Sequence, residues 1–412
     1  MKIINTSVII IGAGPIGLLL ANLLGKENIE TVIIDKKKEF DKYSKAIGIM
    51  PPSFKILKDL NILDKFLDHG VKVKRAVIHG SKYTLGDITF KGIKKFECIL
   101  SNPQNLTENI LFDNLKTYKS VTVCFGHELK KVINNDNNVE MSVLDIDKNE
   151  EVIIKADIAV ACDGGKSTTR NELNIDFIGK RYKDTFVMGD YIDKSDLGSD
   201  AHLFFTKHGA VESFPLNDGK RRWVVQTEQF MSERENDFIE EKVLARTGIK
   251  LEVKNRISDS PFGVQHYIIK SYSKNRVIFC GDAAHLMSPI GGQGMNTGFA
   301  DVEFTFKIVK RFLKDKDQEV FNLLLKRYDF YRRKAAKEAI LRASLSMWIG
   351  TIKGGVRSLI RNINIFMSLH SPLKLYIPIF FAMMTIKYHN VAKINKKDLQ
   401  LLECYDLDET EK

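Results

Sequence analysis

The stretch Gly281–Gly298, GDAAHLMSPIGGQGMNTG, decides the reading of this chain. It follows an apolar run, Val277–Cys280, that reads as a buried β-strand. It leads into a helix whose apolar positions are Met295, Phe299, Val302, Phe306, Val309 and Leu313. Those spacings of four and three place one stripe on one helical face. The glycines let backbone approach a ligand closely. A strand, an acid at Asp282, a glycine-rich loop and a helix N-terminus together suit a large ligand that carries negative charge.

The N-terminus repeats the same logic in another form. Ser7–Ile11 reads as an apolar strand, followed by Gly12-Ala13-Gly14-Pro15-Ile16-Gly17 and an apolar helix through about Leu24. A second strand, Thr31–Ile34, ends at Asp35. This is the βαβ dinucleotide fingerprint in the context it requires. Gly12 permits the tight turn, Gly14 lets a pyrophosphate approach backbone N–H groups, and Gly17 allows helix and strand to pack closely. Asp35 is placed to accept hydrogen bonds from a ribose hydroxyl.

A third strand, Lys155–Ala161, ends at Asp163-Gly164-Gly165-Lys166-Ser167, with Arg170 beyond. Taken alone this reads equally well as a turn with an N-cap. Upstream, Pro103-Gln104 precedes Thr107-Glu108 and an apolar helix, with Thr107 a candidate cap and Gln104 a candidate ligand contact. Residues 71–100 and 180–275 differ in texture. Alternating runs such as Leu203–Thr206, Ala210–Pro215 and Arg222–Thr227, with a turn at Asn217-Asp218-Gly219, suggest an antiparallel sheet inserted between pieces of the nucleotide-binding domain.

Composition narrows the class. The hydrophobic fraction of 44% and charged fraction of 28% are those of a soluble globular protein. The net charge of +11 is spread over scattered lysines without a basic–aromatic patch, so no nucleic-acid partner is indicated. The five cysteines form no CxxC pair, so no metal site is expected. The first residues lack the regions of a signal peptide, and the expected compartment is cytoplasmic.

GAGPIG, CDGGKS and GDAAH…PIGGQGMNTG, in that order, resemble the group A flavoprotein monooxygenases, the aromatic hydroxylases typified by para-hydroxybenzoate hydroxylase and phenol hydroxylase. The resemblance covers roughly residues 5–340. It implies an α/β fold: a Rossmann-like FAD-binding domain in three pieces (residues 1–70, 101–179 and 276–340), a mostly antiparallel β substrate domain (71–100 and 180–275), and C-terminal helices (341–412). It implies FAD as cofactor, with NADPH or NADH as a transient cosubstrate. The fingerprint residues Gly12, Gly14, Pro15, Gly17 and Asp35 would hold the ADP half, and Asp163 and Gly164 would serve FAD and the nicotinamide. Asp282 would hold the ribityl chain, and Gly281 beside it would belong to the cofactor site. Pro289, Gly292, Gly294, Met295 and Asn296 would line the flavin ring, with Gln104 also in contact. Lys45 and Pro52 stand where the family commonly has arginine; Lys45 keeps the charge but loses the planar fork. Tyr328, Arg332 and Arg333 resemble the family's closing helix.

The reaction so implied is NAD(P)H- and O2-dependent hydroxylation of a phenolic, polyketide-like or other lipophilic small molecule through a flavin C4a-hydroperoxide. No residue is assigned as a catalytic base: His285, His202 and His266 read as structural or solvated. Two other functions share these motifs: a flavin-dependent dehydrogenase or reductase of an isoprenoid or polyene, and a non-enzymatic, membrane-associated FAD-binding protein. From Ala339 to Lys397 there is no Asp or Glu but nine Lys or Arg. Its apolar part, residues 362–386, is too interrupted to span a bilayer and reads either as a cap on the cavity or as a contact with the inner membrane surface.

Overall fold

The computed structural model describes residues 2–41, 46–92, 97–233 and 235–403. The first sheet has eight strands among the described residues, and five of them run parallel in the spatial order Val277–Phe279, Glu150–Ala161, Lys2–Ile11, Thr31–Asp35 and Val121–Phe125. Val8–Ile11 is buried on both faces, which is why its sequence is continuously apolar rather than alternating. The helix Pro15–Lys26 makes the crossover to Thr31–Asp35. Because the strands run parallel, their carboxyl ends meet at one edge. Gly12–Gly14, Asp35, Asp163–Gly165 and Gly281–Asp282 therefore gather there from segments far apart in sequence. The fold class expected from the sequence is the one observed.

The second sheet has eight strands, in the order His285–Leu286, Arg256–Ile269, Phe177–Ile192, Lys220–Thr227, Gly209–Leu216, Ala201–Thr206, Arg75–His79 and Thr84–Thr89. All neighbours run antiparallel except Ala201–Thr206 with Arg75–His79. Asp218 and Gly219 both have positive φ, the geometry of a two-residue hairpin turn. One face of this sheet buries Val187, Val211, Trp223 and Val225 against the helix Phe238–Thr247. Its other face looks into a large cavity.

Two long helices, Gln293–Asp315 and Gln318–Thr351, pack on each other and carry the chain across both layers. The C-terminal segment then breaks into Gly355–Leu369, Ile377–Phe381 and Lys396–Glu403. Leu369 and Ala382 are buried against Ile78, Leu85 and Ile88 of the second sheet, with Ile365, Ile377 and Phe381 packed beside them. The opposite side of Gly355–Leu369 leaves Val356, Leu359, Ile363 and Met367 exposed. Among the described residues no helix is long and apolar enough to cross a membrane.

One element starts earlier than the sequence indicates. The helix after Pro103 begins at Gln104, so Thr107 lies inside it and is not its cap. The Thr107 hydroxyl instead accepts a hydrogen bond of 2.7 Å from Asn102 Nδ2. Pro103 occupies the N-cap position, and this helix has no side-chain cap.

Candidate active site

The first βα turn is built by close approach. A Cβ at Gly12 would stand 2.4 Å from the Cys162 carbonyl oxygen, and one at Gly17 would stand 1.9 Å from the Gly12 carbonyl oxygen. Gly14 is different: a Cβ there would meet nothing within 4 Å, so its space opens into the cavity. The Asp35 carboxylate accepts 2.8 Å hydrogen bonds from the Ala13 and Lys37 backbone N–H groups, which fix it beside the turn.

Asp163 closes the next strand. Its Oδ2 accepts from the Thr169 N–H at 3.0 Å and the Thr169 hydroxyl at 2.9 Å, while Oδ1 is buried without a partner. Burial pushes this carboxyl above the ordinary range, partly opposed by hydrogen bonds from Ser167 and Thr169. Ser167 caps the short helix Thr168–Glu172 by accepting from the Arg170 N–H at 2.9 Å. The Arg170 guanidinium reaches the carbonyls of Gly165 (2.8 Å) and Ala283 (3.2 Å), tying this turn to the glycine-rich loop.

The glycine-rich loop turns through Gly291 and Gly292, with φ of +88° and +64°. Those values favour glycine and aim the uncapped first turn of Gln293–Asp315 at the cavity. Asn296 anchors this turn. Its Oδ1 accepts from Met50 N–H and Ser53 Oγ, both at 2.8 Å, and its Nδ2 donates to the Gly48 (2.9 Å) and Gly292 (2.8 Å) carbonyls.

One cavity of about 2120 Å³ runs past all these turns and on to the second sheet. Gly12, Gly14, Pro15, Asp35, Gln104, Asp163, Gly164, Asp282, Pro289, Gly292, Gly294 and Met295 line it. Gly17, Gly281 and Asn296 stand behind the wall and hold its parts together. Lys45 lies outside the described residues; its neighbour Ala46 touches Gln104, whose Nε2 donates to Glu108 Oε1 at 2.9 Å. His285 is wholly buried and off the cavity, and His202 is bound at 3.0 Å to His79.

Two residues unassigned at the sequence level organise the site. Asp301 receives the Gly281 N–H (2.9 Å), His285 Nε2 (2.7 Å) and Arg332 Nε (2.6 Å), all fully buried. Burial alone pushes this carboxyl up; the positive charge of Arg332 and the bonds from His285 and Arg332 outweigh it and hold the group below the ordinary carboxylate range. Glu212 faces the cavity from the second sheet, and burial raises its carboxyl to about 7.

Gly14 and Gly164 leave open space where a Cβ would meet nothing, and Asp163 Oδ1 is a buried acceptor in need of a donor. These features, with two uncapped helix starts at Pro15 and Gln293, fit a dinucleotide.

Comparison with known proteins agrees. Residues 5–343 match the family described as FAD binding domain. The chain is 29% identical over 313 residues to a rifampicin monooxygenase of Rhodococcus hoagii, covering 72% of this chain and 62% of that protein. It is 25% identical over 363 residues to a 3-(3-hydroxy-phenyl)propionate/3-hydroxycinnamic acid hydroxylase of Mycolicibacterium gilvum, covering 84% and 60%. The chain thus spans about 60% of the length of these curated relatives. The solved structure of a p-nitrophenol 4-monooxygenase from Pseudomonas putida DLL-E4 shares the fold, with a TM-score of 0.84, 20% identity, and coverage of 94% of this chain and 100% of that one. The glycine turns, the open cradle and the matched family together make this chain a member of the FAD binding domain family, with FAD as its cofactor.

Proposed function

We propose that the chain is a flavin-dependent monooxygenase that uses NADPH or NADH and O2 to hydroxylate an aromatic or otherwise lipophilic small molecule. The observation that carries this reading is the continuity of the cavity. Ligand sites ordinarily occupy about 300–1,000 Å³. The volume here, about 2120 Å³, leaves room for a dinucleotide and a second molecule beside it.

Bound FAD supplies hydride acceptance from the nicotinamide and activation of oxygen. The chain's own residues hold and insulate it. Gly12, Gly14, Pro15 and Asp35 would take the ADP half, Asp163 and Gly164 the centre, and Asp282 the ribityl chain. Pro289, Gly292, Gly294 and Met295 would border the ring, where the first turn of Gln293–Asp315 favours negative charge. Residues of the second sheet and of the C-terminal helices, among them Leu203, Phe214, Val224, Ile352 and Ile365, make the far wall largely apolar, as a site that must limit access of water to a reactive flavin requires. In support, the similar proteins from Rhodococcus hoagii and Mycolicibacterium gilvum are named as a monooxygenase and a hydroxylase.

The test is anaerobic reduction of the FAD-loaded protein by NADPH or NADH, followed by oxygen and product analysis. A hydroxylated product is expected. A product gaining only hydrogen supports the dehydrogenase or reductase reading and overturns this one.

The proposal extends to a peripheral contact with an anionic membrane surface through residues 362–386. Ile363, Phe366, Met367, Leu373, Leu375 and Tyr376 are exposed there beside Lys374, a pattern that suits a monotopic contact. From Ile377 onward the segment turns inward, with Met383 and Ile386 buried, so the contact rests on its first half.

A further inference from the structure

The second sheet presents one row of side chains to the cavity across five strands: Leu203, Glu212, Val224, Met188 and Ser260. Glu212 is the ionisable member of that row, and its immediate cross-strand neighbours are Leu203 and Val224. It is 8% exposed. Among the described residues it has neither a hydrogen-bond nor an ion-pair partner, and burial alone accounts for its raised titration.

A carboxyl without a partner in an apolar wall is costly. Of the other charges facing this half of the cavity, Arg222, Arg361 and Lys353 are already engaged. Arg222 is held by both oxygens of Asp190 at 2.7 and 2.8 Å. Arg361 donates to the carbonyls of Ile352 and Phe205 at 2.6 Å each, and Lys353 reaches the Thr227 carbonyl at 3.4 Å. Arg357 lines the mouth and is exposed. Glu212 therefore has no partner among the described residues and faces the cavity. Phe214, two residues along the same strand face, packs in one cluster with Ile290 of the glycine-rich loop. Glu212 lies about 7 Å along the strand from Phe214, on the same face of the sheet.

Resting on the monooxygenase reading, we propose that Glu212 is the residue that recognises the substrate, accepting a hydrogen bond from a hydroxyl carried by a large apolar ring system. When it takes that proton, the substrate O–H bond breaks, an O–H bond forms on a Glu212 carboxylate oxygen, and the electron pair stays on the substrate oxygen. The product of that transfer is a phenolate, the electron-rich form a hydroxylase needs. A carboxyl that titrates near the working pH can both accept and return the proton.

The test uses the FAD-loaded protein and a matched pair of probes, 2-naphthol and 2-methoxynaphthalene, which differ by the hydroxyl proton. Fluorescence titration of the wild type at about pH 8 should show about tenfold tighter binding of the naphthol, the value of one charge-assisted hydrogen bond. At about pH 5.5, where protonated Glu212 can donate to either oxygen, the preference should shrink to about twofold or less. Glu212→Leu should abolish the preference at both pH values. Glu212→Gln, which is isosteric, should keep a weak preference with no pH dependence, and it decides the matter if the leucine variant does not fold. Equal binding of the two probes by the wild type, no binding of either, or an unchanged preference in both variants overturns the proposal. In the same preparation, oxygen incorporation into product after reduction by NADPH or NADH reads the monooxygenase assignment separately, because naphthol discrimination needs no reduced flavin.

Discussion

Asp301 Oδ2 lies 2.7 Å from His285 Nε2, and both side chains are wholly buried behind the glycine-rich loop. Asp301 Oδ1 lies 2.6 Å from Arg332 Nε, so a single carboxylate ties the loop, one long helix and the next. Arg332 spends its remaining donors on the carbonyls of Thr297, Tyr388 and His389. Asp301→Asn leaves that guanidinium buried without its counter-charge, and the expected loss is about 3–5 kcal/mol. Urea unfolding of the FAD-loaded protein measures it. A loss below about 1 kcal/mol contradicts the role given to this pair.

The same carboxyl sets an acid limit. Its folded form is held below the ordinary carboxylate range, so its contribution is present above the unfolded value near 3.8 and is lost as pH falls through the lower folded value. Melting temperature measured from about pH 6 down to about pH 3 should fall less steeply in Asp301→Asn than in the wild type.

Glu212 has the opposite sign. Its carboxyl is raised from 4.5 to about 7, so its contribution is full below 4.5 and is lost as pH rises through about 7. Glu212→Gln should therefore be more stable than the wild type above about pH 7, by up to roughly 3 kcal/mol, and little changed at about pH 4. Denaturation curves at the two pH values check this. A variant less stable than the wild type at the higher pH would mean that Glu212 has a partner inside the protein.

Three glycines of the first turn should separate packing from binding. Gly12→Ala and Gly17→Ala place a Cβ 2.4 and 1.9 Å from carbonyl oxygens and should cost about 2 kcal/mol or more of stability. Gly14→Ala meets nothing within 4 Å of protein and has an ordinary extended backbone. It should leave the melting point of the FAD-free protein unchanged and weaken FAD retention by roughly tenfold. Unaltered FAD affinity in this variant argues against a pyrophosphate at the turn.

The exposed face of Gly355–Leu369 can be tested without touching the cavity. Ile363→Asp with Met367→Asp should abolish sedimentation with anionic liposomes at low salt while the melting point stays within about 1 °C. Absence of wild-type sedimentation refutes the membrane contact.

Much of the fold was legible in the sequence because its signals are local. The strand–glycine–helix order at Gly12–Gly17 and the loop at Gly281–Gly298 need only spacing to be read. Asp301 was not legible for the opposite reason. Its partners lie 16 residues before it and 31 after it, and on the helix it is merely a polar residue off the apolar stripe of Phe299 and Val302. Glu212 was hidden by alternation. In Gly209–Leu216 a polar position next to Val211 reads as the solvent face, and only the fold shows a cavity there, walled on the far side by Ile365 and Phe381.

The most direct test of the central claim is isotope labelling. FAD-loaded protein is supplied with NADPH or NADH, a panel of phenolic and polycyclic aromatic compounds, and dioxygen enriched in the heavy isotope, and the products are weighed by mass spectrometry. The account predicts a product that carries one heavy oxygen atom. Turnover of the nicotinamide with a converted substrate that carries none contradicts it.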